Sequence, residues 1–308
     1  MSNELQKTAY LLQIHNHPEQ VNKFINQLIS NNQADIYIHI DRRHYQDLVG
    51  KIIKHPNVKI LEQAINCEWG DISQVDTTLA LLKEMLVSKK SYDFVCLRSG
   101  QDLLVKDGFK DFLMENKGRI FMAHRELKKE NLGFVKIKWP KVTRKRYTSV
   151  HPVRIYRRVM QGMYEKGINL APNSNYWPKE YSFYKGSQWF TIPYDVAKYV
   201  IEFLDENVWY YQYFENTLVP DESFFHTLIM NSPYKGNVVN SNLYFMKWGE
   251  TLKERNSPQF LTHKDIERIE QSQQFFARKF DETINLEVVN YFSKKYSFER
   301  SKMITIGG

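Results

Sequence analysis

The chain has 308 residues, 42% of them hydrophobic and 25% charged, with a formal net charge of +8. The composition supports a folded core and excludes wholesale disorder, and the length suits one large α/β domain or two small ones. No run approaches the roughly 18 consecutive apolar residues of a spanning helix, and two cysteines, Cys67 and Cys96, make neither a disulfide framework nor a metal cluster.

The polar start, Met1 to Lys7, lacks the apolar centre of a signal peptide; with the cysteine count, this predicts a reducing cytoplasm. The charge is uneven. Residues 131–164 hold nine basic side chains and no acidic one: Lys136, Lys138, Lys141, Arg144, Lys145, Arg146, Arg154, Arg157 and Arg158. The other 274 residues carry 34 basic against 35 acidic side chains. The protein is therefore neutral apart from one basic segment.

In chain order, Thr8–Ile14 is an apolar run behind which His-Asn-His-Pro signals a turn, and Glu19–Ile29 reads as a helix. Asp35–Ile40 is β-branched and aromatic, a second strand, and Asn57–Leu61 a third. Ile72, Val75, Leu79, Leu82 and Leu86 fall on one face of a helix. Tyr92–Leu97 and Arg119–Ala123 read as further strands. Strands alternating with helices predict an α/β fold with a mostly parallel sheet flanked by helices. Ligands of such sheets sit beyond the carboxyl ends of the strands, where His15, Asp41 and Asp102 fall.

Residues 124–184 are basic and aromatic with poor periodicity. They read as an insertion with one helix near Val153–Met163. Ser187–Ile192 is strand-like, Pro193 opens a helix to about Leu204, and Pro220-Asp221-Glu222 opens another to about Met230. Asn237–Asn240 reads as a strand and His263–Gln274 as a helix; the stretch from Ser297 is mixed. The expected organisation is one catalytic domain over 1–290 and a tail over 291–308.

Glycine-rich phosphate loops, zinc-type Cys/His spacing and a strand-closing Asp-x-Asp are absent from the sequence. The last absence predicts chemistry without a metal. Asp221 and Glu222 read either as first-turn charge against a helix dipole or as a base at a cleft. Arg278 and Lys279, framed by phenylalanines, read as a helix C-terminus or as an anion site. Asp41 and Asp102 read as turn residues or ligands, and Gly186-Ser187 as a close backbone approach. Trp69-Gly70 reads as a packing and capping element. His15 and His39 read as buried, hydrogen-bonded histidines or as ligand contacts.

Six motifs occur in order: Tyr37–Arg43, Trp69-Gly70, Ser99–Leu103, Gly186–Phe190 (Gly-Ser-Gln-Trp-Phe), Pro220–Phe224 and Phe276–Asp281. Together they resemble the Core-2/I-branching N-acetylglucosaminyltransferase and peptide-O-xylosyltransferase family, glycosyltransferase family fourteen, from about Thr8 to Asp281. The resemblance implies a GT-A fold, a UDP-linked donor such as UDP-GlcNAc, inversion and no metal cofactor. It also implies Glu222 as catalytic base, Lys279 on the donor diphosphate, and His39 and Asp41 at the nucleoside. His15, Asp102, Arg278 and Lys247 are expected on the donor side, and Gly186, Ser187, Trp189 and Asp221 against donor or acceptor. A further arginine of the family falls on Tyr244 here, leaving Lys247 or Arg278 for the second charge.

Family members of the Golgi carry an anchor and several cysteines. Their lack here implies a bacterial-type cytoplasmic enzyme that builds surface polysaccharide on a glycan or lipid-linked acceptor. The basic segment then implies peripheral contact with an anionic membrane at its inner face. The alternative is a nucleic-acid or anionic-surface binding module that uses 131–164, with Trp139, Tyr147 and Tyr156 as stacking side chains. No nucleic-acid motif accompanies that segment.

Overall fold

A computed structural model describes residues 7–29, 34–148, 150–251 and 257–296. The strands, in chain order, are β1 (Thr8–Ile14), β2 (Ala34–Ile40), β3 (Val58–Ile60), β4 (Phe94–Ser99), β5 (Leu103–Leu104) and β6 (Ile120–Phe121). They continue with β7 (His124–Glu126), β8 (Tyr184–Gly186), β9 (Thr191–Pro193), β10 (Val238–Val239), β11 (Tyr244–Met246) and β12 (Phe276–Arg278). The main sheet has seven strands in the order β10-β6-β9-β4-β1-β2-β3. Its pairs are parallel except where β9 runs against β4 and β6. The expected mostly parallel α/β sheet is therefore present.

Nearly every residue of β1, and all of β2 and β4, is buried. Such strands must be apolar on both faces, which is why they read as continuous runs in the sequence. Helices Pro18–Leu28 and Ser73–Val87 bury Phe24, Ile25, Leu81 and Leu82 in the same core. The chain moves outward from β1 through β2 to β3, then returns to place β4 on the other side of β1. The order reverses between β1 and β4, so a crevice opens at their carboxyl ends.

The smaller sheet, β11-β12-β5, stands at that end. Here the structure corrects the reading of Phe276–Arg278, which is a strand paired with β11 and β5 and not the end of a helix. Ser187–Ile192 is also not one strand. Strand β8 stops at Gly186 and β9 begins at Thr191; just after the first, the Ser187 carbonyl accepts from His226 Nε2 at 2.9 Å. The stretch opened by Pro220 is a 3-10 turn, Pro220–Glu222, followed by helix Phe224–Met230.

The insertion has a core of its own. Ile137, Trp139, Met160, Leu218 and Val219 pack together beneath helix Pro152–Glu165. At the far end, helix Leu286–Lys295 runs through the expected boundary at 290. It buries Val288, Val289 and Phe292, and Gln27 Nε2 donates to the Phe292 carbonyl at 3.0 Å. The mixed stretch from Ser297 lies outside the described residues. No helix among the described residues is long and apolar enough to cross a membrane.

Candidate active site

A cleft of about 590 Å³ opens at the switch point. The three parallel strands bring His15, His39, Asp41, Ser99 and Gln101 to its floor, and the end of β12 brings Arg278 and Lys279 to its wall. Three hydrogen bonds fix these strand ends. Gln20 Nε2 donates to the Gly100 carbonyl at 2.9 Å and the Phe280 carbonyl at 3.2 Å, and Phe280 N–H donates to the Gln101 carbonyl at 2.9 Å. A Cβ on Gly100 would lie 2.9 Å from Val21 Cγ2, so only glycine lets the helix pack this close.

His39 is buried, and its Nε2 accepts the Ile65 N–H at 2.8 Å. Burial lowers its pKa to about 4 against the pull of Asp41, so the ring is a neutral acceptor at pH 7. Burial pushes the Asp41 carboxyl up, but Arg43 more than offsets this. Arg43 Nη2 donates at 2.8 Å and Nε at 3.0 Å, and the Cys67 N–H adds a bond at 3.2 Å. Asp41 thus stays ionised below the ordinary aspartate range. His39 and Asp41 together pin residues 65–67 as a side wall. Cys67 on that wall is pushed up to about 11 by burial, so its thiol is not a nucleophile.

Arg278 is 6% exposed and lies 4.3 Å from the Trp189 ring. Its Nε stands 3.7 Å from Asp102 Oδ1, while Nη1 is buried without a hydrogen-bond partner. Lys279 Nζ has no hydrogen-bond or ion-pair partner among the described residues. Burial, then the charges of Arg278 and Arg146, lower its pKa to about 8. Converged cations with unmet donors in one cleft form a site for a polyanion. The helix-end reading of these residues is thereby replaced.

Asp102 does not line the cleft. It is fully buried and accepts from the Ser99 N–H and the Tyr244 hydroxyl, each at 2.7 Å. It therefore positions Arg278 from behind. Burial raises its pKa, opposed chiefly by Arg278. Lys247 is not free for a diphosphate either: its Nζ lies 2.9 Å from Asp265 Oδ1, inside the capping box of Thr262 and Asp265.

Glu222, Asp221, Gly186 and Ser187 form a second group beside the cleft, not among its lining residues. Val219, just before Pro220, has φ of 55°, a strained value for a β-branched residue, and its N–H donates to the Gly70 carbonyl at 3.0 Å. That bond ties the Pro220-Asp221-Glu222 turn to Trp69-Gly70. Glu222 Oε2 meets Lys185 Nζ at 2.9 Å, and Lys185 rests on the Phe134 ring at 4.2 Å. Burial, with the Glu222 charge, raises the Asp221 carboxyl, whose Oδ1 is buried without a partner. A Cβ on Gly186 would lie 1.8 Å from the Ala123 carbonyl oxygen, so this glycine lets β7 and β8 approach.

Several lining residues were not singled out as ligand contacts. Trp69, read as packing, is 42% exposed and lines the cleft with Phe260 and Tyr147. Lys145 and Arg146 line it too. The basic segment is thus divided in its roles. Arg144 is buried and pairs with Asp71 at 3.0 Å. Arg157 is buried against the Lys145 carbonyl, and Arg154 donates to the Tyr147 carbonyl at 3.1 Å. Trp139 is fully buried, its Nε1 donating to the Gly133 carbonyl at 3.0 Å, and Tyr147 stacks on His151. Only Tyr156 of the three expected stacking side chains is exposed. Two of the three aromatic side chains that the nucleic-acid alternative needs, Trp139 and Tyr147, are thus engaged within the protein.

Residues 8–270 match the Core-2/I-branching enzyme family. Among curated relatives, a xylosyltransferase of Ciona intestinalis is 25% identical over 94% of this chain and 34% of its own length. Xylosyltransferase 2 of Rattus norvegicus is 25% identical over 94% and 33%, and xylosyltransferase oxt of Drosophila melanogaster 26% identical over 92% and 32%. The chain spans about a third of the length of these relatives. With a family match over most of its length, the chain belongs to the Core-2/I-branching enzyme family, a family of glycosyltransferases.

Proposed function

We propose that this chain moves a sugar from a UDP-linked donor to a hydroxyl of a glycan acceptor, with inversion and without a metal ion, on a GT-A-type fold. The observation that carries the reading is the pair Arg278 and Lys279, with unmet donors, at the crevice that also holds His39 and Asp41. A departing nucleoside diphosphate needs positive charge where its negative charge grows. Fixed cations in a water-poor cleft supply that charge without reorganisation. His39 and Asp41 hold the nucleoside wall, and Asp102 holds Arg278 in place.

Glu222 takes the proton of the attacking hydroxyl. Lys185 at 2.9 Å orients its carboxylate, and the Val219–Gly70 bond sets the turn that carries it beside the donor cleft. Relatives named xylosyltransferases put a UDP-linked pentose beside UDP-GlcNAc among the donors to test.

The test is a panel of UDP-sugars, scored by calorimetry and by hydrolysis without acceptor, in EDTA. One or more donors should bind and turn over in the chelator. Loss of activity in EDTA with rescue by Mn²⁺ would refute the metal-free reading, and no binding of UDP would refute the donor class.

A second surface favours a location for this chemistry. Helix Pro152–Glu165 exposes Ile155, Tyr156 and Val159 on one side, at 49%, 41% and 53%, with Arg158 and Lys141 exposed nearby. Apolar side chains ringed by cations suit an anionic lipid surface. The protein should float with vesicles that contain phosphatidylglycerol and not with pure phosphatidylcholine. Equal flotation of wild type and Ile155→Ser/Val159→Ser would sink this reading.

A further inference from the structure

The proposed donor site holds two cations at the end of β12, Arg278 and Lys279, and the insertion brings Lys145 and Arg146 to the same cleft. Arg146 sits on the turn Lys145-Arg146-Tyr147, all three of whose residues line the cleft. Arg146 is exposed, its guanidinium has no hydrogen-bond or ion-pair partner among the described residues, and it lines the same cleft as Lys279, whose charged form it disfavours.

This turn is built from behind. Arg154 Nη1 donates to the Tyr147 carbonyl at 3.1 Å, Arg157 Nη2 donates to the Lys145 carbonyl, and the Tyr147 hydroxyl donates to the Val142 carbonyl at 2.6 Å. The Tyr147 ring stacks on His151 at 4.2 Å, and Arg144 pins the strand of chain before the turn to Asp71 at 3.0 Å. Arg144, Arg154 and Arg157 are thus spent on backbone or carboxylate oxygens, while Arg146 is left lining the cleft with Lys279. Holding like charges together across a cleft is unfavourable unless an anion lies between them.

We propose that Arg146 is the third cation of a diphosphate site, so that the insertion closes the donor site rather than standing apart as an acceptor feature. The inference rests on the donor class proposed above. Its chemistry favours the product side. A sugar-linked diphosphate carries two negative charges, and breaking the glycosidic carbon–oxygen bond leaves the electron pair, and a third charge, on the departing diphosphate. A cation that faces the cleft from the insertion gains most as that charge develops.

The test compares UDP, UMP and uridine binding by calorimetry in wild type, Arg146→Ala, Arg146→Lys and Lys138→Ala. Lys138 is an exposed cation of the same segment outside the cleft, so its variant makes the same change in net charge. Arg146→Ala should weaken UDP by about 10- to 100-fold, the span of one charge-assisted hydrogen bond, and leave uridine unchanged. Arg146→Lys should recover part of the loss, and Lys138→Ala should stay within about twofold. UDP binding unchanged in Arg146→Ala, or weakened equally in Lys138→Ala, would overturn the proposal while leaving the donor class intact. Failure of wild type to bind UDP would overturn both.

Discussion

Lys279 gives the sharpest test of the site because its charge is held near the point of loss. Burial and the facing guanidiniums of Arg278 and Arg146 lower it from 10.5 to about 8, with Asp102 as the opposing carboxylate. His15, which also lines the cleft, is itself lowered from 6.5, first by burial. At pH 7 about nine-tenths of the free protein carries a charged Lys279; at pH 8.5 about a quarter does. If only the charged form accepts the diphosphate, the apparent Kd of a UDP-sugar rises about fourfold across that range. Calorimetry in buffers of different ionisation enthalpy would also show proton uptake near pH 8. Lys279→Met should bind weakly with a flat profile.

The same group has a predictable effect on stability. Its folded pKa is depressed, so its charged form is favoured in the unfolded chain. The resulting penalty on the fold is full below about pH 8 and fades as pH rises toward 10.5. Lys279→Met should therefore raise Tm of the free protein at pH 7 while it loses the donor. A wild-type Kd that stays flat from pH 7 to 8.5, or a Lys279→Met protein that keeps both affinity and slope, would refute this account.

Other perturbations reach other parts of the site. Glu222→Gln should keep UDP affinity and lower turnover by about 10²–10⁴, as expected for loss of a general base; near wild-type turnover would remove that assignment. Gly186→Ala should lower Tm sharply, because its Cβ would meet a backbone oxygen at 1.8 Å that no rotamer change can move aside. Unchanged melting would show that β7 and β8 can part. Tyr244→Phe removes one donor from buried Asp102 and should cost about 1–3 kcal/mol in stability by denaturant titration, with a smaller loss in UDP affinity through Arg278.

The central sheet was legible because its strands are buried on both faces and so read as unbroken apolar runs. β1 has the bounds its sequence predicts, and helix Ser73–Val87 is offset by one residue. Short strands were not legible as such. β12 is three residues long, and Phe276-Ala277-Arg278 gains its conformation from pairing with β11 and β5, which no local pattern reveals. The break between β8 and β9 is likewise not local, since these strands belong to different sheets and Ser187 bonds His226, nearly forty positions away. The strand-end rule singled out His15, Asp41 and Asp102 together. Only the first two line the cleft, because Asp102 turns inward to Tyr244 and Arg278. Lys145 and Arg146 could not be separated from their basic neighbours by composition. What separates them is which carbonyls Arg154 and Arg157 reach.

That division changes what the surplus of charge means. A run of nine cations would ordinarily be a solvated face, with each charge stabilised by water and worth little to the fold. Here Arg144 and Arg157 are buried at a desolvation cost, which is recovered only through a carboxylate and main-chain oxygens placed to receive them. Their effect is to fix this stretch beside the end of β12, where Arg278 Nη1 has no hydrogen bond and Lys279 Nζ has no partner among the described residues. Exposed cations elsewhere on helix Pro152–Glu165 need no such support, and Arg158 has none among the described residues. A segment that served only to attract an anionic surface would have no need of this ordering, since long-range attraction depends on charge count and distance and not on the placement of one guanidinium.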